Sequence, residues 1–426
     1  MSPRLERLRA VPTTVLALAL ALAAVTPVGA QVGLATRQIP SSGPVTRASG
    51  RCGVCHPADR VTFEKGPHAA EGLHCTSCHG GDDQAVDEAA AHGGKGFRGR
   101  IARQDIPTLC ASCHSDEKLM RPYDLPVDQY ALYETSGHGQ KLKQGDTSVA
   151  VCSDCHGAHD DLSAHDPASR VYVTNLPGMC GSCHGDTTRV HGAAAGHGPN
   201  PYEAYRSSVH AQELFDAGNR NAPTCVSCHG VHGAAPTNVG DVNKICGRCH
   251  TAERRYFLSG PHATGMALHS LAECSSCHGD HAIQRRPMDD LATLCVKCHP
   301  TGSRDELLGH RLLADYRSAS DAIQKAEAQV VRADAVPIQT DDYQARVEEA
   351  RTYLREALIA AHAVDPEVMA GFTVRARSVG QEVESEVRGK LRNILIEKLA
   401  LVIFWFYVLV TVGILRRFRD RPNRVE

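Results

Sequence analysis

The chain of 426 residues carries 46 Lys and Arg against 48 Asp and Glu, a formal charge of −2, so it lacks the positive excess on which a nucleic-acid binder depends. Its 18 cysteines all fall inside nine CxxCH motifs, which leaves none for a structural disulfide. Structural zinc is a poor fit, because it closes four ligands around one ion and needs no histidine directly after each CxxC.

In chain order, residues 1–30 read as a secretory signal. Arg4, Arg7 and Arg9 precede the apolar run Val15 to Val25, and Val28-Gly29-Ala30 offers a small-residue cleavage site. The alternative is an uncleaved N-terminal anchor, for which the run is short. Residues 31–50, rich in Ser, Thr, Pro and Gly, read as a linker.

Residues 51–302 hold the motifs. A leader, Cys52-x-x-Cys55-His56, stands alone, and four doublets follow it. The first doublet pairs Cys75-x-x-Cys78-His79 with Cys110-x-x-Cys113-His114, and the second pairs Cys152-x-x-Cys155-His156 with Cys180-x-x-Cys183-His184. The third pairs Cys225-x-x-Cys228-His229 with Cys246-x-x-Cys249-His250, and the fourth Cys274-x-x-Cys277-His278 with Cys295-x-x-Cys298-His299. The doublets form an internal repeat over about 68–114, 138–184, 210–250 and 262–299.

A CxxCH is the signature of covalent c-type haem. The two thiols add to the porphyrin vinyl groups and the following histidine comes up beneath the iron as its proximal ligand. Nine covalently bound haems c are therefore expected. The segment has few large apolar side chains, so the macrocycles must supply most of the core. The expected fold is irregular and α-helical with little strand, packed on haem.

Second axial ligands are sought among the histidines that recur at fixed places in the repeat. His68, His138, His210 and His262 each precede a doublet, and His159, His232 and His281 follow its first motif in His-Gly-x-His. Two more are needed for nine six-coordinate irons; His92, His191 and His197 are the candidates, with His74, His165 and His269 behind them. No methionine recurs in the repeat, so bis-histidine, low-potential sites are expected. In the first doublet Gly80-Gly81-Asp82 stands where the following histidine should be, which leaves the Cys75 site without a local partner.

After His299 the pattern turns helical, and residues 303–396 read as a helical hairpin or small bundle, a stalk. Ser303 and Glu306 form a capping box, Leu307, Leu308, Leu312, Leu313 and Tyr316 follow at helical spacing, Pro337 closes the first helix, and Asp365-Pro366 starts a third. A coiled-coil contact between copies is the competing use of these helices. His362 reads as a hydrogen-bonded helix-end residue, with a haem or quinone ligand as the alternative. Residues 397–416 form one transmembrane helix with 417–426 as its tail. Leu399 to Leu415 bears no charge, and Arg416, Arg417, Arg419, Arg421 and Arg424 follow, which places the C-terminus in the cytoplasm and the motifs outside.

Together these residues resemble the periplasmic multihaem cytochromes c with doubled CxxCH motifs, strongly over 52–299 and loosely beyond. The resemblance implies an electron-transfer protein of the inner membrane. It would carry electrons from quinol, through a b-type cytochrome or other quinol-oxidising membrane subunit, to periplasmic redox proteins or outer acceptors in anaerobic respiration. The alternative is a terminal reductase of a nitrogen or sulfur oxyanion with one open iron. All nine motifs end in histidine, which argues against it, and no catalytic residue is assigned.

Overall fold

The computed structural model describes residues 50–94, 96–186, 200–235, 241–271 and 273–419. The expected signal, nearly all of the linker, His191, His197 and the last residues of the tail lie outside the described residues. Among the described residues there is no strand: short helices of four to nine residues run to Cys295, and three long helices follow.

The short helices are fixed by their ends. The first motif of each doublet is one turn and a half of helix, Cys75–His79, Cys152–His156, Cys225–His229 and Glu273–His278. Each is stopped by the glycine that follows the histidine, and Gly80, Gly157, Gly230 and Gly279 have φ of 66°, 92°, 91° and 84°. Only glycine enters that region at little cost, and at Gly80 a Cβ would stand 2.2 Å from the Gly96 carbonyl oxygen. The glycine in Cys-His-Gly is thus a backbone requirement. It turns the chain so that the residues after the motif leave toward a neighbouring repeat.

The histidines that precede each doublet sit at a matching place, the second residue of a short helix. Ser136 and Ser208, both fully buried, cap the helices carrying His138 and His210 by accepting from the Gly139 and Ala211 amides. Gly66-Pro67 and Gly260-Pro261 start those carrying His68 and His262, using proline's fixed φ at the first helical position.

The three long helices, Arg304–Asp334, Asp341–Ala360 and Pro366–Arg419, pack against one another. Ser303 caps the first by accepting from the Glu306 amide, as the capping box predicts. Their core is narrow and rich in small residues: Ala319, Ala326, Ala333, Ala350 and Ala376 lie with Ile323, Val330, Tyr343, Val347, Val383 and Val387. Small side chains let backbones approach closely, and a Cβ on Gly380 would stand 3.0 Å from the Ala322 carbonyl carbon.

A second cluster joins the stalk to the motif segment. Leu312, Ala357 and Met369, all fully buried, receive Met288 and Leu291 from the last doublet. Gly260 meets the stalk at the same level, where a Cβ would stand 2.4 Å from the Ala363 carbonyl oxygen. The third helix runs unbroken for 54 residues, about 81 Å at 1.5 Å per residue. Its end is long and apolar enough to cross a membrane, with a mean hydropathy of 2.3 and none of that window buried.

A candidate cofactor array of nine paired imidazoles

Each motif histidine faces one other histidine. In chain order of the motifs, His56 faces His92 with ring centres 6.4 Å apart, His79 faces His159 at 6.0 Å, and His114 faces His68 at 6.0 Å. His156 faces His232 at 6.1 Å, His184 faces His138 at 5.9 Å, and His229 faces His281 at 6.0 Å. His250 faces His210 at 6.4 Å, His278 faces His362 at 6.1 Å, and His299 faces His262 at 6.1 Å.

Two imidazoles gripping one metal would give nearly this spacing. Each metal–nitrogen bond is about 2 Å, and a five-membered ring of ordinary bond lengths places its nitrogen about 1.1 Å from its centre, so the centres should lie about 6.2 Å apart. No third protein donor joins any pair: among the described residues no cluster of three or more His, Cys, Asp or Glu converges on a metal-sized point. Two axial imidazoles with four equatorial positions left open are the donor set for an iron porphyrin, and beside every pair stand the two cysteines of its motif. The residues fit haem c.

The pairing follows a rule. The histidine before each doublet faces the second motif of its own doublet: His68 with His114, His138 with His184, His210 with His250, His262 with His299. The histidine after a first motif faces the first motif of the preceding doublet: His159 with His79, His232 with His156, His281 with His229. The first doublet needs no following histidine, since His92 serves the leader; its missing residue is explained by the array having nothing further upstream to serve. The last doublet has no successor, and His362 from the stalk takes the position. The seven recurrent histidines and His92 are thus brought to motif histidines, whereas His74, His165 and His269 are not. His362 is both things considered for it: its Nδ1 lies 3.0 Å from the Ile359 carbonyl oxygen, and its ring faces His278.

A consequence is that a doublet's neighbour, not the doublet itself, holds its first site. In a His159→Ala variant we expect the site at Cys75 and Cys78 to lose its second ligand, while the site at Cys152 and Cys155, only a few residues from the change, keeps both. Resonance Raman or magnetic circular dichroism, combined with a Cys75→Ser, Cys78→Ser background that removes that site altogether, checks the assignment.

Neighbouring pairs touch in chain order and in alternation. First cysteines lie close enough to shift one another's titration in Cys52 with Cys75, Cys110 with Cys152, Cys180 with Cys225, and Cys246 with Cys274. Second cysteines interact in Cys78 with Cys113, Cys155 with Cys183, Cys228 with Cys249, and Cys277 with Cys298. Motif 1 therefore adjoins 2, 2 adjoins 3, and so on to 9, in one unbranched line. All 18 sulfurs are free of disulfides.

Half of the eighteen paired rings are pushed toward the neutral form that ligates metal. Burial, reinforced by the facing ring, pushes His138, His210 and His262 below the usual imidazole range, and His156 and His278 likewise; burial and the nearby His229 push His184 down. Their other nitrogens are oriented from behind: Nδ1 of His79, His229 and His278 lies 2.9, 3.0 and 3.2 Å from the carbonyls of Gly99, Ala235 and Gln284. That arrangement leaves Nε2 for the metal side. His68 departs, because the hydrogen bond its Nδ1–H donates to the Asp161 carboxylate raises its pKa. No family model, curated protein or solved structure matches the chain.

Proposed function

We propose that the chain is a membrane-anchored periplasmic c-type cytochrome with nine covalent haems, an electron conductor between a quinol-linked donor at the inner membrane and periplasmic or outer acceptors. The observation that carries this reading is that every one of nine CxxCH histidines faces a second histidine at haem-sandwich distance. Bound haem supplies the one-electron iron couple. The protein's residues would do the rest: each motif histidine with its facing histidine would hold the iron so that little rearranges on electron transfer, the two cysteines of each motif would hold the macrocycle, and the approach of successive motifs would keep the groups close along a single path.

What weighs against the alternative, a reductase with one open iron, is that no motif histidine is left facing empty space. The terminal helix supports anchoring, and the arginines after it support a cytoplasmic C-terminus by the positive-inside rule. The stalk also bears on the partner. His362 lies just before the third helix, and some 31 residues, about 45 Å of helix, separate Pro366 from the start of the span. A membrane donor that reaches the His278 or His299 site must therefore carry its own redox group well above the bilayer, as a subunit with a substantial periplasmic part would.

Mass spectrometry of the exported protein should show nine haem increments, electron paramagnetic resonance should show only low-spin ferric haem, and the reduced protein should not bind carbon monoxide. Absent increments would remove the cytochrome reading, and a carbon monoxide complex in the unaltered protein would restore the reductase.

A further inference from the structure

We infer that Asp161, hydrogen-bonded to the back of the His68 ring, makes the site shared by His68 and His114 the most reducing of the nine; this rests on the haem reading above. The Asp161 Oδ2 lies 2.6 Å from His68 Nδ1, and its side chain is only 13% exposed. Its other oxygen, Oδ1, is buried without a hydrogen-bond partner, so its negative charge is not shared out to other donors. The contact is built into the backbone. Gly66, two residues before His68, has no room for a side chain, since a Cβ there would stand 2.7 Å from the Asp161 carbonyl oxygen.

Most rings in the array that are held from behind rest on neutral carbonyls, as His79, His229, His278 and His362 do. A carboxylate in that place draws the Nδ1 proton toward itself and leaves Nε2 a stronger donor, which favours ferric over ferrous iron. A buried negative charge nearby acts in the same direction, and less water means less screening. Two other rings carry close carboxylates, His159 with Asp59 at 3.1 Å and His299 with Asp305 at 3.0 Å, but both carboxylates are 55% exposed, so their effect is weaker. Among the described residues the next carboxylates stand 3.7 to 4.0 Å from a ring nitrogen, as Asp280 does from His281 and Glu253 from His250.

The position of Asp161 is economical. Within six residues, His156 serves the fourth site, His159 the second and Asp161 the third, so one turn of chain fixes three successive sites and sets an uphill step between the fourth and the second. Electrons arriving from the stalk end would meet this step only after passing the ninth to the fourth sites.

The test is a redox titration of the full-length protein in detergent, followed by its visible bands and by paramagnetic resonance. In Asp161→Asn, one midpoint of the nine is expected to move positive by the equivalent of tenfold or more in its reduction equilibrium, 59 mV for one electron, with all haems still low-spin. Asp161→Glu keeps the charge but displaces it, and should move the same midpoint by less. Equal shifts in both variants, or none in either, would overturn the inference. Counting haem increments by mass on the same samples separates the outcomes: nine increments with unmoved midpoints sinks the role of Asp161 alone, and no increments sinks the haem reading beneath it.

Discussion

Replacing His362 by alanine should convert one haem in nine from low-spin to high-spin and open it to carbon monoxide, where the parent protein has no such site. The ring faces His278 at 6.1 Å, and the rule that governs the other first-motif sites offers this one no histidine from a following doublet. The remaining spare histidines in the neighbourhood do not substitute. His310 sits on the first stalk helix beside Glu306, 57% exposed, and His310→Ala should leave the spectrum as it was. His362→Met should keep six ligands and raise that one midpoint, since a thioether favours ferrous iron.

The same change should loosen a mechanical joint. An iron held by His278 on one side and His362 on the other would cross-link the motif segment to the stalk. Without it the seam relies on Met288 and Leu291 against Leu312, Ala357 and Met369, and on the exposed pair Arg317 and Asp289 at 2.6 Å, which contributes little on its own. Limited proteolysis in the stretch from Cys298 to Ser303 should therefore be faster in His362→Ala than in the parent. An unchanged spectrum together with an unchanged cleavage rate would show that His362 is only a helix-end residue.

His362 also marks where reading the sequence stops. Recurrence in a repeat singles out His68, His138, His159, His210, His232, His262 and His281, because a position kept through several copies is visible in one chain. Which motif each one serves is not visible. The partner of His159 is His79, about 80 residues back and in another doublet, and only the left-handed turn at Gly157 sends the chain there. His362 recurs nowhere, so it reads as an ordinary helix end. The trace it does leave is an absence, a last doublet with no successor. Asp161 leaves less, one acid among many on a polar loop. The three stalk helices are legible from capping and spacing, with the second beginning at Asp341 and the third at Pro366. The continuity of the third from stalk into the apolar end is not, because the residue pattern changes near residue 397 from an alternation of apolar and charged residues to an uninterrupted apolar run.

Haem-free protein should fold only at its C-terminal end. Among the described residues of the motif segment the buried hydrophobic side chains are Met120, Val151, Leu176, Ala204, Tyr205, Ala211, Leu214, Ala222 and Met266, scattered over about 250 residues. The stalk buries twice as many within about 90 residues, and both clusters of core residues centre on it. Ordering backbone costs about 1 kcal/mol or more per residue, and burying a large aliphatic side chain returns about 1.5–3 kcal/mol; nine such residues cannot offset the ordering of 250. On the haem reading, macrocycles held between the paired imidazoles would supply the missing apolar area in the loaded protein. With all 18 cysteines changed to serine, trypsin should degrade residues 51–302 quickly and leave a resistant fragment that begins near Ser303, with circular dichroism showing the stalk's helix and little else. A protease-resistant motif segment in that haem-free variant would mean that the polypeptide alone specifies the array, and the histidine pairs would then be its product and not the haem's.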